Sequence, residues 1–468
     1  MAKFKKIFLV SFFSAFSIAF ILISLHRYNS GELFYYDFGI FGHIIWQLSR
    51  FQIPYINHLV LGNVMFLGDH FNPSLVLIAP LFWITSDLRI LLIEQAIATV
   101  IAAALIYKIG KKMNLTSLIA FATSVAYLLF AGVQNPLVTD WHPESTAAVF
   151  LLAFVYSLIA KQKRIYTILF LVIFLGFKES NAATALFVFF WLFIIFRDKR
   201  KEIAIYTVSS IIYFLIITRL VMPEIAQHEY MYTPSPPSNP IQLVQNYTNS
   251  PQKQTLIYQS FISFGFVPIL SGAALLMPLA ELGIRLAPNG TIFNNISLGQ
   301  HYNVLLGVLL SLATLQSFIY IHRYSKDKKY ITYIATAVLV LGSLYTTRKI
   351  TQTPINLVIN PLFYSQLAPN KKIQEIQQKV PRTGTVMSHN NILPYLINRT
   401  DKVYMLKDTF EPDKPDIIVI DLQTDANPNN YYGSGREIAE AVITKLKTSD
   451  TYTKLETQDQ SLYIYRRK

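Results

Sequence analysis

The chain has 468 residues, of which 52% are hydrophobic and only 15% charged. A soluble globular protein carries about 25% charged residues, so this composition, with its apolar residues in long runs, excludes an ordinary soluble fold and marks a multi-span membrane protein. The net charge of +14 sits mostly in short loops between apolar runs, where topology rather than nucleic-acid binding explains it, and the lack of cysteine excludes disulfides, thiolate chemistry and cysteine metal sites.

Residues 1–346 read as a polytopic domain and 347–468 as a soluble one. The first apolar run, Ile7–Leu25, follows Lys3, Lys5 and Lys6. It is long, lacks a small-residue cleavage pattern and precedes further spans, so it reads as a retained first helix. About nine spans are expected in all, the others near 88–109, 115–133, 145–160, 165–178, 181–196, 203–220, 303–321 and 330–346. Basic loops at Lys108/Lys111/Lys112, Lys161/Lys163/Arg164, Arg197–Lys201 and Arg323–Lys329 fall on one side, which should be cytoplasmic together with the N-terminus. The C-terminus is then outside, in a multi-pass protein of the cell membrane.

The first outer loop, 26–87, contains YNSGELFYYDFGIFGHIIWQLSR and then GDHFNP. Phe38, Phe41, Ile45 and Leu48 recur at helical spacing while His43, Gln47 and Arg50 are polar. This predicts a helix along the membrane surface with Asp37 at its N-terminus. Pro73–Ile84 is too short to span, and Phe261–Ala280 would reverse the later basic loops if counted. Both read as re-entrant or surface segments, with half of a helical hairpin as the alternative for the second. In the outer loop 221–302, the Pro-rich stretch Met222–Ser260, with Tyr230, Tyr232 and Tyr247, reads as a lid, a binding loop or a linker.

In the soluble part, Ile373, Ile376 and Val380 mark a helix face. Strands are expected at 384–388, 403–406, 416–421 and 461–465, and helices at Asn390–Asn398 and Arg436–Lys447. No glycine-rich phosphate loop appears; Gly433–Ser434–Gly435 reads as a turn.

On this topology the unusual polar residues collect at the outer side: Asp37, His43, Asp69, His70, Asp140, His142, Glu144, Lys178, Glu179, His301 and Tyr302, with Glu94 a turn or two into the second span. Each has a bland reading as a cap, a loop ion pair or an interfacial anchor. Together they imply a polar cavity, because charge at such depth is costly unless paired or facing water. Such a cavity suits a lipid-linked anionic substrate. Lys178, Arg50 or Arg89 would meet its phosphate. A carboxylate would take the proton of an acceptor hydroxyl on the opposite face, inverting the anomeric centre. Asp37 is the expected base, with His43, His70 and Glu144 as alternatives. Asp37, Asp69 and His70 are also the expected ligands if a divalent metal ion takes part, although no spacing is diagnostic of one.

The segments YYDFGIFGHIIWQLSR, GDHFNPSLVLIAPLFWI, DWHPE, GFKES and LGQHY, with VMSHNNILPYLINRTDKVYML and DIIVID, resemble the membrane family of domain-of-unknown-function 2079 over nearly the whole chain. That family in turn is similar to the glycosyltransferase C superfamily. The resemblance implies an α-helical polytopic, glycosyltransferase-C-like protein with a small extracytoplasmic α/β C-terminal domain. It implies a polyprenyl-phosphate sugar as donor. Asp37 corresponds to the acidic residue of the superfamily's first outer loop, and Asp69 to a second acidic position of some members. Phe38–Gly39 follow Asp37, so the common D-x-D pair is missing. Lys178–Glu179–Ser180 stands where a Lys-Glu-Asp-like triplet is frequent. The leading expectation is sugar transfer to an extracytoplasmic lipid, glycan or protein. The alternatives are a transporter or flippase of lipid-linked sugars, which calls for mid-membrane ionisable groups and internal repeats, and a non-catalytic assembly or receptor protein.

Overall fold

The computed structural model describes residues 2–468 apart from 59–61, 233–234, 236, 238, 290–295, 326–327, 399–401, 424–426 and 432–434. The protein is mainly helical, and all nine expected spans fall on helices. Among the described residues six helical segments are long and apolar enough to cross a membrane unaided: Phe4–Ser30, Arg89–Lys112, Arg197–Ala226, Val267–Leu286, His301–Tyr324 and Lys329–Ile350. Glu144–Ile159, Arg164–Leu175 and Asn181–Ile195 are apolar but shorter. Ser117–Leu129 and Ala131–Thr139 meet at a 60° bend. Breaking a helix frees backbone carbonyls, which must find partners inside the protein. Gln134 Nε2 donates to Leu128 O (2.8 Å) and Thr347 Oγ1 to Leu129 O (3.0 Å).

Val304–Tyr324 is the axis of the bundle, with 83% of its apolar window buried against 17% for the first helix. Its inward hydroxyls are satisfied locally, Ser311 by Gly307 O and Thr314 by Leu310 O. Ser317 Oγ reaches a neighbour, donating to Val267 O at 2.7 Å.

Two loop readings change. Val267–Leu286 is helical and passes the length and hydropathy test of a span. Gly272, at φ 59 and ψ −126, kinks it from 3-10 into α geometry, and only glycine adopts that conformation at low cost. Met222–Ser260 is not an irregular loop, since it contains helices Met222–Ala226, Pro240–Thr248 and the start of Pro251–Ile262. Three of the prolines that suggested a loop, Pro223, Pro240 and Pro251, instead open helices, where a missing N–H costs nothing. Asn239 and Ser250 cap two of these helices. Pro234 and Pro236 lie outside the described residues.

The C-terminal region forms a five-stranded sheet: β3 (Thr385–Ser388), β4 (Lys402–Met405), β5 (Ile417–Asp421), β6 (Tyr452–Leu455) and β7 (Leu462–Arg467), in spatial order β4-β3-β5-β7-β6. β3 runs parallel to β4 and β5, while β7 is antiparallel to β5 and β6. β1 (Tyr55–His58) and β2 (Gly62–Met65) form a hairpin in the first loop. Helix Gly435–Lys447 covers one face of the large sheet. Val386, Ile417, Val419, Leu462 and Ile464 on the other face belong to the same continuous core as the bundle. The domain is therefore docked, not tethered. Asn390–Asn398 is not a regular helix; it has a 3-10 turn at Leu393–Tyr395, because Pro394 supplies no N–H, Asn391 bonds locally to the His389 ring, and Asn390 reaches out to Asn429 O and the Tyr36 N–H. Gly433 and Ser434 lie outside the described residues, and Gly435 opens the last helix at φ 70.

Candidate active site

Four segments meet at one end of the bundle. The turn Tyr35–Gly39 brings Asp37, and the D-W-H-P-E turn brings Asp140, His142 and Glu144. The junction between Arg164–Leu175 and Asn181–Ile195 brings Lys178, and the start of the central helix brings His301 and Tyr302. His142 stands at the centre, with Nε2 3.5 Å from Asp37 Oδ1 and Nδ1 3.3 Å from Glu144 Oε2. Glu144 Oε1 accepts from Lys178 Nζ at 3.1 Å and lies 3.8 Å from His301 Nε2. The His142 and His301 rings stack at 3.3 Å, and Tyr302 adjoins His301 at 4.0 Å. Asp37 is 43% exposed while the His142 side chain is only 6% exposed, so Asp37 forms the open mouth over a buried floor.

The D-W-H-P-E turn is locked from below by Gln95. Its Nε2 donates to Pro136 O (3.1 Å) and Asp140 O (2.9 Å), and its Oε1 accepts the His142 N–H at 2.8 Å. Arg285 braces the far side, donating to Tyr302 O and to Asn303 Oδ1 at 3.0 and 2.9 Å. Asp37 itself has φ 73 and ψ −82, the γ-turn region that side chains adopt under strain, at roughly 1–3 kcal/mol. It is not a helix cap: Ile40–Ser49 begins three residues later with no side-chain cap. That helix buries Ile40, Phe41, His43, Ile44 and Ile45, so it is packed inside the protein and does not lie on a membrane surface. The soluble domain holds the strained turn. The Tyr35 N–H donates to Asn390 O at 2.7 Å and the Tyr36 N–H to Asn390 Oδ1 at 3.0 Å.

The charges are unequal by position. Desolvation against the packed floor raises the Asp37 carboxyl, but the charge and hydrogen bond of His142 outweigh it and hold the group below the usual carboxylate range. Asp140 goes the other way, well above that range, from burial and the negative charge of Asp37. Burial lowers His142, yet Asp37 and Glu144 more than offset it and raise the imidazole. The two neighbouring carboxyls are thus pushed apart, Asp37 down and Asp140 up, and the imidazole between Asp37 and Glu144 is pushed up.

Asp69 and His70 do not join this group. Phe41 and Phe66 stand between, with Phe41 5.0 Å from the His142 ring, Phe66 5.6 Å from Phe41, and His70 6.3 Å from Phe66. They build a second cluster with Glu179. His70 Nδ1 lies 3.5 Å from Glu179 Oε1, and the Phe71 N–H donates to Glu179 Oε2 at 3.0 Å. Tyr230 OH donates to Glu179 at 3.0 Å and Tyr232 OH to Asp69 at 2.6 Å. Lys178 and Glu179, adjacent in sequence, thus serve different clusters.

The other expected residues are more distant. His43 is buried, with Nε2 3.0 Å from Gln47 Nε2, and burial lowers its pKa to about 4, so it is no cation for a phosphate at neutral pH. Arg50 lies over Trp46 at 4.3 Å, in a cleft at the other end of its helix. Glu94 accepts from Trp141 Nε1 at 3.0 Å and from the Thr146 hydroxyl, behind the site rather than in it. Gln95 and Asn390 carried no sequence signal for this neighbourhood; Asp140 is already among the outer polar residues, and Tyr230 and Tyr232, from the stretch read as a lid, a binding loop or a linker, join the second cluster.

Among the described residues two sets have metal-ligating reach: Asp37–Asp140–His142 and His142–Glu144–His301, each with its donor atoms within 4.8 Å of one another. The second already holds the Lys178 ammonium. The first has two carboxylates and a shared imidazole, and both His142 nitrogens are buried without a hydrogen bond, so the first fits a divalent cation better. The expected trio of Asp37, Asp69 and His70 does not assemble.

The match to known proteins is with this whole architecture. Residues 32–462 match the family described as "Predicted membrane protein (DUF2079)". The chain is a member of that family. No curated protein sequence matches it significantly. Two crystal structures of ArnT from Cupriavidus metallidurans, one bound to undecaprenyl phosphate and one in the apo state, each align with 97% of this chain and 97% of their own, at a TM-score of 0.54. Their identities to this DUF2079 protein are 11% and 12%. The family member thus has a glycosyltransferase-C-like fold, and the likeness extends to the fold alone.

Proposed function

We propose that this protein is a membrane glycosyltransferase that moves a sugar, with inversion, from a polyprenyl-phosphate donor to an acceptor at the outer face. The observation that carries this reading is one open carboxylate, Asp37, held in a strained turn over a buried floor with Lys178 and two imidazoles. An apolar cavity of about 310 Å³ supports a lipid substrate. It lies between Arg89–Lys112 and Glu144–Ile159, lined by Ile90, Ile97, Ile101 and Val149, and reaches Glu94 and Thr146. Glu94 is tied to the His142 turn by the Trp141 Nε1–H, which donates to it at 3.0 Å. The ArnT structure of similar fold was solved with undecaprenyl phosphate bound, which supports a polyprenyl phosphate as the ligand class in this reading. Lys111 and Lys112, at the opposite end of the helix that carries Glu94, support an outward-facing site.

In this reading the acceptor hydroxyl attacks the anomeric carbon as the phosphate leaves from the opposite face. The C–O bond to phosphate breaks with its electron pair, and the new C–O bond forms to the acceptor. Asp37 takes the hydroxyl proton. Its low basicity suits a late transfer, when the attacking oxygen has become positive. Lys178 and the His142 imidazolium stabilise the departing phosphate. A divalent cation, if bound by Asp37, Asp140 and His142, would neutralise phosphate charge in place of the imidazolium; the protons of Asp140 and His142 would be released on binding, and the acceptor proton would then pass to another group, such as Glu144.

The test is a transfer assay in membranes with a panel of polyprenyl-phosphate sugars. The parent should transfer one of them, Asp37→Asn should lose at least about 100-fold, and Lys178→Ala should lose donor-dependent turnover. Undiminished transfer in Asp37→Asn at equal expression removes the assignment of the base.

A further inference from the structure

A polar cleft of about 580 Å³ lies between the soluble domain and the bundle, within the size range of small-ligand sites. It is not the site described above. Trp46 and Arg50, at the C-terminal end of helix Ile40–Ser49, form one wall, and Asp37 precedes the other end of that helix. A ten-residue helix separates the two by about 15 Å. The opposite wall comes from the soluble domain and includes Gln374 and Arg382.

The lining carries three guanidiniums, Arg50, Arg89 and Arg382, and among the described residues one carboxylate, Asp87. Asp87 is committed to Arg89, whose Nε donates to it at 2.8 Å. Three cations less one anion leaves two positive charges uncompensated in the lining. Two of the guanidiniums are set on aromatic faces, Arg50 over Trp46 at 4.3 Å and Arg89 over Tyr28 at 5.6 Å. Stacking fixes the plane of an arginine fork; Arg50 can turn its N–H edge to an oxyanion, whereas Arg89 spends Nε and Nη2 on Asp87 and keeps only Nη1 for one. Planar forks of this kind match phosphate and carboxylate groups with paired hydrogen bonds.

We propose that this cleft is a subsite for an oxyanion-bearing saccharide, its phosphate or carboxylate group held by Arg50, Arg89 and Arg382. Under the transferase reading, on which the word acceptor rests, the occupant is an acceptor whose anionic group sits one helix length from the hydroxyl that reacts. The acceptor is then an extended glycan of several residues, not a small alcohol.

The test measures binding directly, so it does not depend on transfer. The purified full chain in detergent is titrated calorimetrically, at low salt, with trigalacturonate, with phosphorylated maltotriose and with neutral maltotriose. At least one anionic probe should bind saturably and ten-fold or more tighter than the neutral one, weakening with salt. Which probe binds tells carboxylate from phosphate. The exposed pair Arg50→Gln and Arg382→Gln should lower that affinity ten-fold or more, with the melting temperature kept as a fold control. The single variant Arg382→Glu should do the same if the pair expresses poorly. Equal affinity for the neutral sugar, no saturable anionic binding, or unchanged affinity in these variants overturns the proposal. Anionic binding without any sugar transfer upholds the site and removes its acceptor role.

Discussion

The side-chain oxygen of Asn390 accepts a hydrogen bond from the backbone N–H of Tyr36 at 3.0 Å. A residue of the soluble domain thereby fixes the peptide next to Asp37, whose backbone is at φ 73. Strain of this kind persists only where the surroundings over-determine it. Asn390→Ala should relax the turn, lowering kcat about ten-fold with little change in KM for the donor, and should cost about 1 kcal/mol of stability. Asn390→Asp keeps an acceptor for Tyr36 and should recover most of the rate. Full activity in Asn390→Ala would mean that the Tyr35–Asn390 backbone bond at 2.7 Å suffices to hold the turn.

The charge pair at the mouth predicts a pH profile. Burial raises Asp37, and the His142 charge overrides it to lower the group. A base with a depressed pKa stays ionised as pH falls, so the acidic limb of kcat/KM should lie below the ordinary aspartate value of 3.8. His142 is raised, so its charge is present at low pH and disappears as pH rises through that raised value, giving the alkaline limb. His142→Gln removes the charge but leaves the burial. Its acidic limb should move up by a unit or more and its alkaline limb should vanish. A profile of unchanged shape in His142→Gln would show that the imidazole does not control Asp37.

The sequence was readable where chemistry and topology were both local. Asp37, His142, Glu144, Lys178 and His301 each sit at the edge of an apolar run, so their common end of the bundle followed from span counting. Their separation from Asp69 and His70 did not, because it is made by Phe41 and Phe66, two aromatics that any apolar helix face could hold. The strand patterns at 384–388, 403–406 and 416–421 matched β3, β4 and β5 within a residue or two, since buried parallel strands are continuous apolar runs. β6, with the burial pattern of a half-exposed edge, has no such run. The prolines of Met222–Ser260 were misleading because proline marks both loops and the first turn of helices. Nothing local announces that Asn390 and Tyr36, 354 residues apart, share a hydrogen bond.

Gln95 is a structural keystone without chemistry of its own. Its amide makes three bonds to the backbone of the Pro136–His142 segment, all from a fully buried side chain. Gln95→Leu matches its size but leaves the Asp140 carbonyl and the His142 N–H unpaired, while Pro136 O keeps the Asp140 N–H. Each orphaned buried group costs about 1–3 kcal/mol, so the variant should melt several degrees lower and lose activity in parallel. Gln95→Glu keeps the acceptor for the His142 N–H but sets a carboxylate against Asp140 O and Pro136 O, and should be at least as damaging. A Gln95→Leu protein with parental melting and rate would show that the turn is held by its own contacts.

Glu179 ties the 222–232 segment to the bundle, and its titration should report that link. Burial raises its carboxyl, but the hydrogen bond and charge of His70, with the charge of Lys178, bring it to about 2, against an ordinary 4.5. A depressed acid stabilises the fold above its unfolded value and loses that contribution as pH falls towards the folded one. The melting temperature should therefore fall as pH drops from 4.5 towards 2, and Glu179→Gln should flatten that part of the curve. Tyr230→Phe removes the hydroxyl that donates to Glu179, and Tyr232→Phe the one that donates to Asp69. The double variant should expose the segment to limited proteolysis near Gln227–Tyr232, with cleavage sites mapped by mass spectrometry. Parental resistance to protease in the double variant would show that the segment is held by packing and not by these two hydroxyls.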